Sequence, residues 1–284
     1  MREAGLSLSL TLLLIVISSL TEASEATQHS QPTDQHCPQT QQDESLSESC
    51  PLSERATTIM SAGRKVALVL GASGETGKEV VRNLVRSDLY SQVNVVTRRQ
   101  LEFPQDDANY KKVEQKIVDF DQLEQSSSAF SGVDTAFCCL GTTRAVAGAE
   151  GFVKVDHDYV LNSARILQSN NCSDFHLLTS KGSSANSWLL YPSTKGKVEN
   201  AVMELGFPRV TIYRPGLLVC DRPNRPRRMF EELAQKVAGW IDKSHGWSIP
   251  TNLLATAMVN NAGTEQAEAT KILEHHEIVN IVNR

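Results

Sequence analysis

Short apolar runs alternate with helical patterns from Lys65 onward, and this alternation limits the fold more than any other feature. KVALVL (Lys65–Leu70), VNVV (Val93–Val96), KIVDF (Lys116–Phe120), VDTAFCCL (Val133–Leu140), FHLL (Phe175–Leu178) and VTIY (Val210–Tyr213) read as strands. The first is apolar at almost every position, as a strand covered on both faces of a parallel sheet must be. Between them, Val80, Val81, Leu84 and Val85 recur at helical spacing, as do Leu123 with Phe130, and Tyr159, Val160, Ala164 and Leu167. A further helix is predicted from about Tyr191 to Leu205. Parallel strands joined through helices need right-handed crossovers, so the expectation is an α/β, doubly wound parallel sheet. Such sheets bind ligands outside the carboxyl ends of their strands.

The first such end carries VLGASGETGKEVV, with Gly71, Gly74 and Gly77 three residues apart between a strand and a helix. Three glycines alone are a weak signal, but this position is the one a dinucleotide site uses, and it makes the fold Rossmann-type. Gly71 allows a sharp turn, Gly74 close approach to a pyrophosphate, and Gly77 tight packing of helix on sheet. Backbone N–H groups from Ser73 through Glu75 to Thr76 would hold the phosphates at the helix N-terminus. The second strand ends in TRRQ, where a site for the unphosphorylated coenzyme usually has an acidic residue. Two guanidiniums, Arg98 and Arg99, suit a 2′-phosphate, so the expected cofactor is NADPH. Asp119, closing the third strand, is placed to reach the adenine amine or to be a plain surface aspartate.

TSKG after the fifth strand supplies Ser180, and YPSTK supplies Tyr191 and Lys195, four apart on one helical face. An ammonium beside a phenol favours the phenolate, and a strand-end hydroxyl is suited to a substrate carbonyl. Ser180, Tyr191 and Lys195 are therefore the candidate proton-transfer set for hydride exchange. Each of these features also has a plain reading, as an unliganded turn, a solvated arginine pair, or a tyrosine and a lysine at ordinary helical spacing.

This order of glycine turn, strand-end serine and Tyr-x-x-x-Lys resembles the short-chain dehydrogenase/reductase superfamily. LGASGETG, CCLGTTR, AGAEGF, VD.DYV, KG.VE and RPG resemble more closely an atypical branch, the Tat-interactive protein family of oxidoreductase-like proteins, over roughly Lys65 to Asn261. The resemblance implies further cofactor contacts. Leu140 and Gly141 would line the adenosine-ribose and pyrophosphate side, Leu218 the nicotinamide amide, and Arg225, across a one-residue gap, the phosphates. It implies an NADP-dependent oxidoreductase on a small carbonyl or alcohol. It also implies an alternative, an NADPH-sensing regulatory protein with little or no turnover that acts through nuclear import receptors or transcription regulators, and in apoptosis.

The ends of the chain follow other rules. Residues 1–26 contain LSLSLTLLLIVISSL (Leu6–Leu20) after Arg2, followed by small residues. This reads as a secretory signal peptide cleaved after Ala23 or Ala26, with a marginal membrane anchor and an incidental extension left open. Residues 27–62 are polar and without aromatics, a composition expected to stay disordered. Met60 offers an internal start just before the domain of residues 63–284, whose part from about residue 221 is a small C-terminal cap or lid that includes the basic loop RPNRPRR (Arg222–Arg228). GWSIPTNLLATAMVNN (Gly246–Asn261) reads as a late strand and a helix closing the site, and His275–His276 as a solvated pair. The net charge of −5 argues against direct nucleic-acid binding, and the six cysteines form no metal pattern, so no metal is expected. Cys138 and Cys139 are expected to be packed rather than reactive, and the cytoplasm, with the nucleus, is the expected location. A secretory route remains the alternative, in which the sequon Asn171-Cys172-Ser173 would be glycosylated.

Overall fold

The computed structural model describes residues 65–220 and 246–283. The signal-like segment, the polar linker, the basic loop and Arg225 lie outside the described residues. Along the chain run β1 (Lys65–Leu70), α1 (Glu75–Arg86), β2 (Tyr90–Thr97), β3 (Val113–Ile117), β4 (Thr135–Cys138), α2 (Arg144–Val153), α3 (Tyr159–Ser169) and β5 (Asp174–Leu178). They are followed by α4 (Leu190–Met203), β6 (Arg209–Arg214), β7 (Leu217–Val219), β8 (Ser248–Pro250), α5 (Thr251–Ala262), β9 (Thr270–Glu274) and α6 (His275–Val282). Seven strands form one sheet in the order β3-β2-β1-β4-β5-β6-β9, and every pairing is parallel. The order reverses direction between β1 and β4, so the switch point lies where the glycine turn leaves β1.

Both faces are covered, which explains the largely apolar central strands. On one face Val69, Val93 and Val95 pack with Val80, Leu84 and Val85 of α1 and with Leu254 and Met258 of α5. On the other, Leu68, Leu70 and Ala136 pack with Val160, Ala164 and Leu167 of α3 and with Val198 and Val202 of α4. α1 buries Val80, Val81, Leu84 and Val85, the stripe that its spacing predicts.

Four local differences have physical causes. The expected helix through Leu123 and Phe130 is instead a run of 3-10 turns over Phe120–Phe130, interrupted at Gln122 and Ser126. Three consecutive serines compete for backbone hydrogen bonds there, while Phe120, Leu123 and Phe130 still reach the core. The third strand starts and ends three residues earlier than read, at Val113 and Ile117, because it is an edge strand with little apolar signal. The helix predicted to close the site, α5, packs on α1 instead. A polar thread fixes it to the sheet: Asn261 Nδ2 donates to Tyr213 Oη at 3.0 Å, and Arg209 Nη2 donates to Asn261 O at 2.6 Å. In the described part of the C-terminal region, β8 pairs with β7 in a small second sheet, and α5, β9 and α6 join the main layers. His275 is not solvated: it is buried, and its Nδ1 accepts the Gly216 N–H at 3.0 Å.

Candidate functional site

The glycine turn is built as its spacing requires. Gly71 has φ +82°, a region that a side chain disfavours. A Cβ there would overlap the Cys139 carbonyl, so the turn and the end of β4 touch backbone to backbone. A Cβ at Gly77 would strike the Gly71 carbonyl, which is what lets α1 descend directly onto the turn. The turn is closed by Gly74 N–H donating to Gly71 O at 2.9 Å, and no side chain caps α1 at Gly74. Ser73 and Gly74 are exposed at the mouth, with Thr76 buried beneath. The first turn of α1 thus faces outward at the carboxyl end of the sheet, in the orientation that attracts an anion.

Arg98 and Arg99 are both exposed beyond the tip of β2, where Thr97 Oγ1 donates to Arg99 O at 2.7 Å and shapes the bend. Arg98 contributes to lowering the pKa of Asp121, whose carboxyl is held below the usual range first by Lys154 and Tyr159. Asp119 lies two residues past β3, exposed, and its Oδ1 accepts the Asp121 N–H at 2.9 Å as the cap of the 3-10 run.

Tyr191 and Lys195 are in the first turns of α4, and Ser180 is two residues beyond β5. The loop and the helix are tied together. Ser184 N–H donates to Pro192 O at 3.0 Å, and a side chain at Gly196 would overlap Ser184 and Ala185 backbone. Ser180 Oγ lies 3.5 Å from Ser183 Oγ. Tyr191 is 49% exposed and stacks on Phe152 of α2, with ring centroids 5.5 Å apart. Lys195, by contrast, is buried, with its Nζ 2.8 Å from Asp156 Oδ1. Burial disfavours its charge, but Asp156 first, with Tyr191 adding, outweighs that and holds the ammonium above the ordinary lysine value. Asp156 Oδ2 accepts the Thr142 N–H at 2.8 Å, and a side chain at Gly141 would come within 3.3 Å of Asp156 Oδ1. Leu140 and Gly141 therefore run directly past the ion pair. Cys138 is buried and Cys139 partly buried; burial pushes the Cys138 thiol up to about 12 and raises Cys139 as well.

Leu218 sits half-buried in β7, in a loop braced from two sides. Arg214 forks onto Glu199, Nη2 to Oε2 at 2.6 Å and Nε to Oε1 at 3.1 Å, and reaches Glu274 at 3.0 Å through Nη1. Glu199 is fully buried and also accepts Thr179 Oγ1 at 2.6 Å. One carboxylate thus joins the end of β5, helix α4 and the end of β6.

An NAD(P)H-binding family profile matches residues 71–262, spanning the glycine turn through α5. The rat protein HTATIP2 is 42% identical over 219 residues, 76% of this chain and 89% of the relative. This chain belongs to the NAD(P)H-binding, atypical short-chain dehydrogenase/reductase family. Protein FMP52, mitochondrial, of Candida glabrata is 31% identical over 217 residues, 74% of this chain and 89% of that protein. Among solved structures, MoeE5 in complex with UDP-glucuronic acid and NAD superposes with a TM-score of 0.57 at 14% identity, covering 74% of this chain and 76% of that one. At that identity the likeness speaks for the fold, which the seven-stranded parallel sheet shares.

Two residues of this family member escaped the sequence reading as individuals, although VD.DYV and KG.VE contain them. Asp156 and Glu199 each place a carboxylate on the buried stripe of a helix, Asp156 between Val153 and Val160, Glu199 between Val198 and Val202. A charge at a core position is the signal that finds such residues, because it must be paired to be buried. Among the described residues no helix is long and apolar enough to cross a membrane.

Proposed function

We propose that this chain is an NADPH-dependent oxidoreductase acting on a small carbonyl or alcohol at the carboxyl ends of β1, β4 and β5. The observation that carries the reading is a buried, charge-paired Lys195 one turn after a half-exposed Tyr191, on a helix tied to the Ser180 loop. In this reading the backbone around Ser73, Glu75 and Thr76, on the turn that Gly71, Gly74 and Gly77 shape and that the Gly74 N–H closes onto Gly71 O, holds the pyrophosphate. Arg98 and Arg99 take the 2′-phosphate, and Leu140, Gly141 and Leu218 supply backbone and apolar walls. Asp119, whose Oδ1 is engaged by Asp121 N–H, would turn its other oxygen to the adenine amine. Arg225 would add a phosphate contact. The nicotinamide supplies or accepts the hydride when bound. Ser180 orients the substrate oxygen, Tyr191 gives or takes its proton, and Lys195 sets a positive charge one helical turn away to assist that transfer.

Fluorescence titration with NADPH and NADH tests the cofactor, and NADPH consumption across a panel of aldehydes and ketones tests the chemistry. NADPH should bind more tightly than NADH, and Arg98→Ala/Arg99→Ala should remove the preference. Tyr191→Phe should lower turnover by about 10²–10⁴-fold while cofactor affinity holds. Equal affinity for both coenzymes, or full turnover in the phenylalanine variant, overturns the reading.

A second reading is favoured by large apolar side chains that are exposed: Trp188 in the loop before α4, Val146 in α2, Leu217 in β7 and Trp247 just before β8. There the protein is an NADPH-gated regulatory module of the cytoplasm or nucleus, presenting those side chains to an import receptor or transcription regulator. Equal affinity for such a partner with and without NADPH would count against it. Asn171 is exposed, with φ 62°, so a mobility shift on deglycosylation would instead mark a secretory form.

A further inference from the structure

We propose that Asp156 is the positioning residue of this site, holding the Lys195 ammonium charged and aimed at the loop after β4 before any cofactor arrives. The charge beside Tyr191 is then a fixed property of the fold rather than a consequence of binding. Its catalytic meaning rests on the function proposed above; the pairing itself does not.

The argument begins with helix geometry. Between α2 and α3 the backbone makes one wider, π-helical turn over Lys154–Asp158. Such a turn inserts a residue into the helical register, and at this point the inserted register puts Asp156 on the buried side. The carboxylate is 1% exposed and is satisfied from two directions, by Lys195 Nζ at 2.8 Å and by Thr142 N–H at 2.8 Å. Its neighbour His157 turns the other way and pairs with Asp158 at 2.8 Å. Lys195 is 6% exposed, so burial disfavours its charge. The titratable groups that bear on it are Asp156 from the π-turn, Tyr191 from its own helix, and Cys138 from β4. Burial pushes the Cys138 thiol up to about 12, so it carries no charge at neutral pH. Tyr191 is 49% exposed, whereas the Asp156 carboxylate is buried in direct contact with the ammonium at 2.8 Å. Asp156 is therefore the one standing counter-charge among these groups, and its link to Thr142 fixes it to the loop that carries Leu140 and Gly141.

A buried ammonium without a counter-ion sheds its proton at lower pH. Lysine labelled with carbon-13 at Cε, observed by NMR in the full chain and assigned with Lys195→Arg, reads this directly and needs no cofactor. In the unsubstituted protein Lys195 should titrate above the ordinary lysine value of about 10.4. In Asp156→Asn it should fall by at least one pH unit, about a tenfold loss of proton affinity, with Asp156→Glu restoring most of it. Affinity of Asp156→Asn for NADPH should then decline increasingly with pH relative to the unsubstituted protein. An unsubstituted Lys195 that titrates at or below the ordinary value overturns the proposal even if no variant folds. An unchanged titration in Asp156→Asn does the same. If the titration moves as expected while neither NADPH nor NADH binds, the pairing stands and the function proposed above falls. If NADPH binds and the titration does not move, the reverse holds.

Discussion

Replacing Glu199 by glutamine keeps the size of the side chain and removes only its charge, so the effect follows from three hydrogen bonds. The carboxylate accepts from Arg214 twice, at 2.6 and 3.1 Å, and from Thr179 Oγ1 at 2.6 Å. Glutamine has one acceptor oxygen, and its amide would point N–H groups at the guanidinium or at the threonine hydroxyl. Breaking one partner of a buried ion pair typically costs about 3–5 kcal/mol. Arg214 is not stranded, because its side chain is 21% exposed and keeps Glu274 at 3.0 Å. That places the expected loss at the lower end, about 3 kcal/mol. For a domain of this size the melting temperature should drop by about 6–12 °C. Urea unfolding followed by circular dichroism measures the first quantity and a thermal scan the second. The double replacement Glu199→Leu/Arg214→Met should lose much less than the single one, since it leaves no buried charge unpaired: Glu274 is 39% exposed, and Thr179 Oγ1 keeps the Tyr213 carbonyl at 3.2 Å. A loss below about 1 kcal/mol for Glu199→Gln, or a double variant as unstable as the sum of the singles, would refute the claim that this carboxylate clamps β5, α4 and β6.

Other perturbations test separate parts. Gly77→Ala puts a methyl against the Gly71 carbonyl, so it should destabilise the fold by about 1–3 kcal/mol in urea unfolding and weaken coenzyme binding by fluorescence titration. Iodoacetamide at about pH 8 should leave Cys138 and Cys172 unmodified in peptide mass spectra until denaturant is added, because burial raises both thiols to about 12. The Asp121 carboxyl is lowered by Lys154, 2.7 Å away, and by the Tyr159 hydroxyl. Its folded value lies below its unfolded one, so its stabilisation is complete above the unfolded value and fades as pH falls through the folded one. Asp121→Asn should flatten the acid limb of a stability–pH curve and leave the limb above about pH 5 parallel to the original. For Lys195 the sign reverses: the raised value means stabilisation is complete below 10.5 and lost only above it, so Asp156→Asn should cost stability across the whole neutral range.

How much of this was legible from the residues depended on whether the physics was local. The buried strands were readable, because a strand covered on both faces is apolar at most positions; KVALVL coincides with β1 residue for residue. The glycine turn was readable for the same reason, since only a missing side chain permits the contacts at Gly71 and Gly77. Where the chain meets solvent or an edge the signal thinned: β3 is half-exposed, and β9, which completes the sheet beyond β6, alternates too weakly to stand out. The site divides along the same line. Tyr191 and Lys195 announced themselves by spacing on one helix, whereas the group that pairs with Lys195 sits 39 positions earlier in sequence, on a distorted turn that no periodicity marks. A long-range pair is visible in one dimension only as two unexplained charges on two apolar stripes. His275 makes the same point in reverse. Beside His276 it looked like a polar tail, but the parallel pairing of β9 with β6 carries it to the Gly216 loop, where a ring nitrogen accepts the part-buried Gly216 N–H. His275, at the start of α6, therefore braces the turn that leads into β7 and Leu218, so the part of the proposed site assigned to the nicotinamide is held by an element far along the chain from the glycine turn.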